Sequence, residues 1–139
     1  MEKIVVGIAE GKTAVEQQVL ISYALGSCVG VCLYDKSRKI AGMVHVILPE
    51  KAVAVNRENP YKFGDEGVRR LVQEMERLGA EKKRLTAKIA GGAKMFETGR
   101  PEWEIGAQNV ASVKKTLAEE GIRLIAEDTG KNYGRTVSF

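Results

Sequence analysis

The sequence is poor in the side chains that most often bind metals or form cross-links. Among its 139 residues are one histidine, His45, and two cysteines, Cys28 and Cys32. These supply at most three of the usual soft metal ligands, and no carboxylate stands at a recognisable ligand spacing near them. In an extended strand the Cα atoms of the two cysteines would lie about 13 Å apart, too far for a disulfide. We therefore expect no metal site and two reduced thiols.

Long hydrophobic runs and blocks of like charge are also absent. No segment is long and apolar enough to span a bilayer, and the first residues lack the features of a signal peptide. The net charge is +4, but the 22 lysines and arginines are spread among 18 acidic residues without a concentrated basic arm. These absences predict a cytoplasmic protein that neither inserts into membranes nor binds nucleic acid. The length and the 44% of hydrophobic residues predict one domain, residues 1–139.

The glycine-rich segment at residues 91–94 satisfies neither the phosphate-loop spacing nor the dinucleotide-binding spacing. We therefore expect no cofactor. For the pair Gly91 and Gly92, two explanations stay open: close backbone packing, or the shaping of a surface for a substrate or partner.

Hydrophobic periodicity predicts the order β-β-β-β-α-β-α-β-β, in one α/β or α+β domain. The first two strands are expected at residues 3–9 and 19–24, joined by a polar connection that contains Gly11. A hairpin is expected from residues 29–34 and 40–48. An amphipathic helix begins near Asp65 and stops at Gly79, with core residues at helical spacing: Val68, Leu71, Val72, Met75 and Leu78. A second helix is indicated at residues 110–118.

Cys28 and His45 are the candidate reactive residues. Cys28 follows a glycine and a serine and precedes an apolar strand, so it is expected where a loop enters regular structure. A thiol and an imidazole are the minimum parts of a cysteine nucleophile with its general base. The alternative is that Cys28 is a small buried hydrophobic residue and His45 a core histidine. Along its strand, His45 shares one face with Met43 and Ile47.

Several motifs resemble one known family. The runs LGSCVGVCLYD (residues 25–35) and AGMVHVILP (residues 41–49) closely resemble the CheD family of bacterial and archaeal chemoreceptor glutamine deamidases. The likeness extends to residues 87–96, 105–109 and 128–135, and so covers nearly the whole chain. It implies an α+β fold, a three-layer α/β/β sandwich in which helices pack on one of two stacked, mainly antiparallel β-sheets.

The resemblance also implies roles for individual residues. Cys28 falls on the family's nucleophile and His45 on its general base, while Ser22 occupies the place where the family typically has a threonine that assists or orients the site. The substrate would be glutamine side chains in the cytoplasmic helical region of methyl-accepting chemoreceptors, with receptor methyl esters as a further substrate class. The CheC phosphatase would be a partner. The alternative function is a binding regulator of that phosphatase with little catalytic activity.

Overall fold

The structure, a computed structural model, describes residues 2–49, 59–93, 105–130 and 135–139. The helices and strands of this part are β1 (Glu2–Val5), β2 (Gly11–Ala14), β3 (Gln18–Leu25), β4 (Val29–Asp35), β5 (Ile40–Val46), α1 (Gly64–Arg77), β6 (Thr86–Gly91), α2 (Ile105–Glu119), β7 (Arg123–Thr129) and β8 (Arg135–Ser138).

The larger sheet has the strand order β2-β5-β4-β6-β7. Its centre is the antiparallel hairpin of β4 and β5, which confirms the predicted pair and places Gly30 opposite His45. Strand β4 is buried at every residue except Tyr34, which is partly buried. A strand so covered has packing partners on both faces of its sheet.

The smaller sheet has the order β1-β3-β8 and stacks on one face of the larger one. Among the described pairings, β1–β3 and β6–β7 are parallel and the others are antiparallel. The two faces of β4 and β5 serve different cores. Val44 and Val46 belong to the core that includes α1 and α2 residues, whereas Cys32 and Met43 pack with residues of the smaller sheet such as Leu20. The α/β/β three-layer fold is thus confirmed.

Three details differ from the sequence-based expectations. The connection predicted around Gly11 contains strand β2, which pairs with β5 and shortens the first strand to Glu2–Val5. Leu78 was expected in the core but is 49% exposed, because α1 ends at Arg77 and the chain turns away at Gly79, whose φ is +109°. The second helix begins earlier than expected, at Ile105. The sequence of residues 50–64 has little periodicity and predicts a loop, part of which lies outside the described residues.

Asp35, the last residue of β4, is fully buried and bound on several sides. Its carboxylate accepts hydrogen bonds from Arg84 Nε and Nη2, the latter at 2.9 Å, and from the backbone N–H groups of Glu81 and Arg38. The Arg84 guanidinium, with these N–H groups, lowers the pKa of Asp35 to about 2. Asp35 therefore ties the β4–β5 turn to the segment before β6.

We expect Asp35→Asn to lower the free energy of unfolding by about 2 kcal/mol at pH 7, because a depressed carboxyl pKa is itself a stabilisation of the folded state. This stabilisation is present above the unfolded pKa near 4 and is lost as the pH falls towards 2. Urea unfolding at pH 7 and pH 3 measures it, and the variant should lose less stability on acidification than the wild type. Glu74→Gln, in the surface pair with Arg77, is the control and should change stability by less than about 0.5 kcal/mol. Equal losses in the two variants would contradict the prediction.

Candidate active site

The structure brings Ser22 and His45 together between the two sheets. Ser22 lies on β3 of the smaller sheet and His45 on β5 of the larger one, and both side chains are buried. His45 shares its face of β5 with Met43, as the alternation predicted, and that face looks towards the smaller sheet. Stacking of the sheets therefore joins residues that are 23 positions apart in the chain.

The hydrogen bonds of Ser22 define the protonation of His45. Ser22 Oγ lies 2.8 Å from the carbonyl oxygen of Val6 and 2.8 Å from His45 Nδ1. Because the Val6 carbonyl can only accept, the single hydroxyl proton of Ser22 is donated to it. The hydroxyl must then accept from the imidazole, so Nδ1 carries the proton of the ring. The other nitrogen, Nε2, is left as the basic atom.

That basic nitrogen is buried and free. Within the described part of the chain, His45 Nε2 has no hydrogen-bond partner. Burial lowers the pKa of His45 because it destabilises the imidazolium, and the Val6 carbonyl offsets this only in part. His45 is therefore a neutral imidazole at pH 7, with an unoccupied acceptor.

Cys28 lies in the bend between β3 and β4 and is half-buried. The antiparallel register pairs Val29 with Val46. Cys28 immediately precedes Val29, and His45 immediately precedes Val46, so the bend of Cys28 lies at the end of the hairpin that carries His45. No hydrogen bond joins the Cys28 thiol to His45 among the described residues. Burial raises the pKa of Cys28, and its own backbone N–H partly opposes that rise.

The bend that carries Cys28 is held through three consecutive carbonyl groups. The Gly26 carbonyl accepts from Ala93 N at 2.8 Å, and the Cys28 carbonyl accepts from Gly92 N at 2.8 Å. The Ser27 carbonyl, between them, accepts from Asn109 Nδ2 of α2 at 3.0 Å. The Cys28 peptide geometry is thus fixed from outside the bend.

Two glycines at the end of β6, Gly91 and Gly92, are needed for this contact. Gly91 has a φ of +106°, and a Cβ added there would lie 2.2 Å from the Cys28 carbonyl oxygen. Gly92 also has a positive φ, and a Cβ there would lie 2.9 Å from the carbonyl oxygen of Gly106. Of the two explanations left open by the sequence, the structure supports close backbone packing, and this packing supports the bend of Cys28.

Comparison with known proteins identifies the family. The family model described as CheD chemotactic sensory transduction matches residues 47–139, more than half of the chain. The probable chemoreceptor glutamine deamidase CheD of Syntrophomonas wolfei subsp. wolfei is 46% identical over 142 aligned positions, which cover 100% of this chain and 88% of that protein. This chain belongs to the CheD family. A CheD of Pyrococcus horikoshii is 45% identical and is covered to 85%, with 99% of this chain aligned.

Solved structures show that the CheD fold of this chain also occurs in distant proteins. A Neisseria meningitidis protein of family DUF152 superposes with a TM-score of 0.63 at 9% identity, over 100% of this chain and 75% of that one. A Bacillus licheniformis hypothetical protein, YfiH, gives a TM-score of 0.52 at 14% identity, over 86% of this chain and 49% of that one. At these identities the likeness concerns the fold alone.

One buried polar residue beside the site was not singled out from the sequence. Asn109 stood within a motif that resembles the CheD family, yet no role followed from its position. It is fully buried on α2 and reaches the bend of Cys28. An asparagine on the buried face of an amphipathic helix was the available signal, since buried amides normally have specific partners.

Two features are absent from residues 2–49, 59–93, 105–130 and 135–139: a cluster of metal ligands and a membrane-spanning helix. No group of three or more histidine, cysteine, aspartate or glutamate side chains is arranged there to hold a metal ion. None of the helices in this part of the CheD chain has the length and apolar character needed to cross a membrane.

Proposed function

We propose that this chain hydrolyses glutamine side-chain amides in the cytoplasmic helical region of chemoreceptors, giving glutamate and ammonia. The observation that carries the proposal is the neutral, buried His45, whose Nδ1–H is held by Ser22 and whose Nε2 is left free. A half-buried thiol, Cys28, precedes the strand that pairs with the histidine strand. The relatives named chemoreceptor glutamine deamidase support the substrate class.

In the proposed reaction, His45 Nε2 removes the thiol proton of Cys28 as the sulfur attacks the carbon of the substrate carboxamide. The resulting tetrahedral intermediate bears a negative oxygen. His45 then returns the proton to the nitrogen and the C–N bond breaks. Ammonia departs, and the acyl group stays on Cys28 as a thioester. Nε2 next removes a proton from water, whose oxygen attacks the thioester carbon. The C–S bond breaks, the thiol regains a proton, and glutamate is released.

The negative oxygen of each tetrahedral intermediate needs hydrogen-bond donors beside Cys28. The backbone N–H groups of Ser27 and Cys28 are the proposed donors. Within the described residues, neither donates a hydrogen bond to another residue. Both are thus available to a substrate oxygen.

The product changes the charge of the receptor. A neutral glutamine becomes a carboxylate, which a methyl ester can neutralise again, so receptor packing and signalling can be tuned electrostatically in adaptation. The same acyl-enzyme chemistry would also serve ester hydrolysis. Binding to the CheC phosphatase stays a prediction, as does the alternative function of a binding regulator.

The test is mass spectrometry of receptor cytoplasmic fragments after incubation with the wild-type protein. Each hydrolysed glutamine adds about one dalton, the difference between an amide and an acid. We expect gains at discrete glutamines, mapped by peptide analysis, and none after incubation with Cys28→Ala. Fragments esterified at glutamates, assayed in parallel, measure methylesterase activity. No gain on any receptor, with CheC binding intact, would overturn the deamidase proposal in favour of the binding regulator.

Ser22 gives a separate prediction. Ser22→Ala removes the acceptor for His45 Nδ1–H and the donor to Val6. We expect kcat to fall by about 10–100-fold, the loss typical when the hydrogen-bond partner that orients a metal-binding histidine is removed. Ser22→Thr keeps the hydroxyl and should retain most of the activity. Steady-state kinetics on receptor fragments measures both effects.

Ser112→Ala is the matched control for Ser22→Ala. Ser112 is also buried and donates to a backbone carbonyl, that of Pro49, but among the described residues no hydrogen bond joins it to His45. Its replacement should leave kcat within about twofold, as expected for an ordinary structural hydrogen bond away from the site. A Ser22→Ala enzyme as active as the Ser112→Ala enzyme would contradict the proposed orientation of the imidazole.

A further inference from the structure

We propose that Asn109 is a positioning residue for the oxyanion site: it holds the Ser27–Cys28 peptide so that the Cys28 N–H faces the reacting carbonyl oxygen of the substrate. The inference rests on the proposed amide hydrolysis and assigns a role to a residue outside the group formed by Cys28, His45 and Ser22.

Asn109 links the two segments that carry the reactive side chains. Its side-chain NH2 group donates to the Ser27 carbonyl at 3.0 Å and to the Ile47 carbonyl at 3.2 Å. Ser27 immediately precedes Cys28, and Ile47 lies two residues after His45. Because both neighbours are acceptors, only the nitrogen end of the amide can face them. Asn109 therefore fixes the distance between the thiol bend and the end of the histidine strand.

The Ser27 bond also sets the direction of the next N–H group. The described chain has no cis peptide bond, so the Ser27 carbonyl and the Cys28 N–H point to opposite sides of one planar unit. The carbonyl points to α2, which packs on the face of the larger sheet that carries Val44 and Val46. The Cys28 N–H is thus directed to the opposite face, on which His45 lies.

The position of the Cys28 thiol fits this direction of the Cys28 N–H group. The backbone N–H of Cys28 acts on its own sulfur and partly offsets the effect of burial on the thiol pKa. The Cys28 N–H and Sγ belong to one residue, so this N–H lies close to the carbon that the sulfur would attack. An N–H beside the attacking sulfur is the arrangement that stabilises a tetrahedral oxyanion.

Packing alone does not account for an asparagine here. Asn109 is fully buried, and its Oδ1 has no hydrogen-bond partner among the described residues. A buried acceptor without a donor is destabilising, whereas an apolar side chain of similar size would avoid that penalty. The two donated bonds, and the peptide orientation that they impose, are what the amide provides at this position.

The experiment compares Asn109→Leu and Asn109→Asp with the wild type and with Ser112→Ala. Leucine removes both donated bonds, and aspartate replaces the donor with a carboxylate that repels the two carbonyls. We expect kcat to fall by about 10²-fold, the effect of losing one oxyanion donor, with KM within about threefold. Ser112, one turn further along α2, donates to the Pro49 carbonyl and not to the bend, and its variant should behave as the wild type.

Alkylation of Cys28 by iodoacetamide, followed by peptide mass spectrometry, separates this role from a structural one. Alkylation needs an accessible thiol but forms no oxyanion, so its rate in the Asn109 variants should stay within about twofold of the wild type. If the alkylation rate of Cys28 and kcat fall together in the Asn109 variants, the oxyanion role is overturned, because such a result shows that the thiol is displaced. If the wild type hydrolyses amides and the Asn109 variants have the same kcat, the oxyanion role of Asn109 is overturned and the proposed function stays intact.

A measurement on the wild-type protein covers the case in which the variants do not fold. The probe is a receptor peptide with an aldehyde in place of the target carboxamide. The Cys28 sulfur adds to the aldehyde carbon, and the thiol proton goes to the aldehyde oxygen or to His45. That oxygen occupies the oxyanion position. We expect the amide proton of Cys28 to shift downfield by NMR on adduct formation. An adduct without this shift would overturn the inference, and absence of any adduct would overturn the proposed function as well.

Discussion

Replacement of Cys28 by alanine should lower amide hydrolysis on receptor fragments by at least about 10³-fold, because it removes the thiol proposed to form the thioester. The bend that carries Cys28 places it beside the strand of His45, and its half-buried side chain remains accessible. The measurement is the initial rate of ammonia release or of the one-dalton mass gain per glutamine. The thermal midpoint should stay close to that of the wild type, since the change removes one partly exposed sulfur.

Cys32→Ala is the matched control for Cys28→Ala. Cys32 is four residues further along the chain but is buried between the sheets, against residues such as Leu20 and Met43. Burial raises its pKa to about 12, so it carries almost no thiolate at neutral pH. The variant should lose about 1 kcal/mol of stability through the small cavity and keep its activity within about twofold. Loss of activity in Cys32→Ala, or retention in Cys28→Ala, would contradict the assignment of the nucleophile.

The β4–β5 hairpin could be predicted from the sequence because its information is local. Two apolar runs flank a polar turn, and their alternation correctly placed Met43 and His45 on one face. Strand β2 could not be found in this way. Its four residues, GKTA, have no apolar alternation, and they form a strand by pairing with β5, which lies 27 residues or more further along. Hydrophobic periodicity does not predict a strand that forms only through such long-range pairing.

In the candidate site, too, some residues could be predicted from the sequence and others depend on the fold. Cys28 and His45 could be identified because they are rare residue types with a shared chemistry. The contact of Ser22 with His45 depends on the stacking of two sheets, and its expected role came from family resemblance. Asn109 reaches Ser27 across 82 positions of sequence, through the packing of α2 on the larger sheet. No spacing rule predicts such a contact, so the role proposed for Asn109 could be inferred only from the three-dimensional fold.

His45→Gln should lower kcat/KM by at least about 10³-fold and should also change the pH profile. In the wild type, His45 has a pKa below its usual value of 6.5 and Cys28 a pKa above its usual value of 9.0. Protonation of Nε2 removes the base, so kcat/KM should fall as the pH drops below 6.5. It should be flat between pH 7 and 8.5, where both groups are neutral.

In His45→Gln the acid limb should disappear, and the residual rate should rise with pH up to and beyond 9, because only spontaneously ionised thiolate can then attack. The profile distinguishes two forms of the resting enzyme. A neutral thiol beside a neutral imidazole gives the wide plateau described above, whereas a thiolate–imidazolium pair gives an alkaline decline near the raised pKa of an ion-paired histidine. The burial of His45 and the accepting hydroxyl of Ser22 favour the neutral pair. A wild-type decline between pH 7 and 9 would contradict it and would require a nearby charge that lowers the thiol pKa.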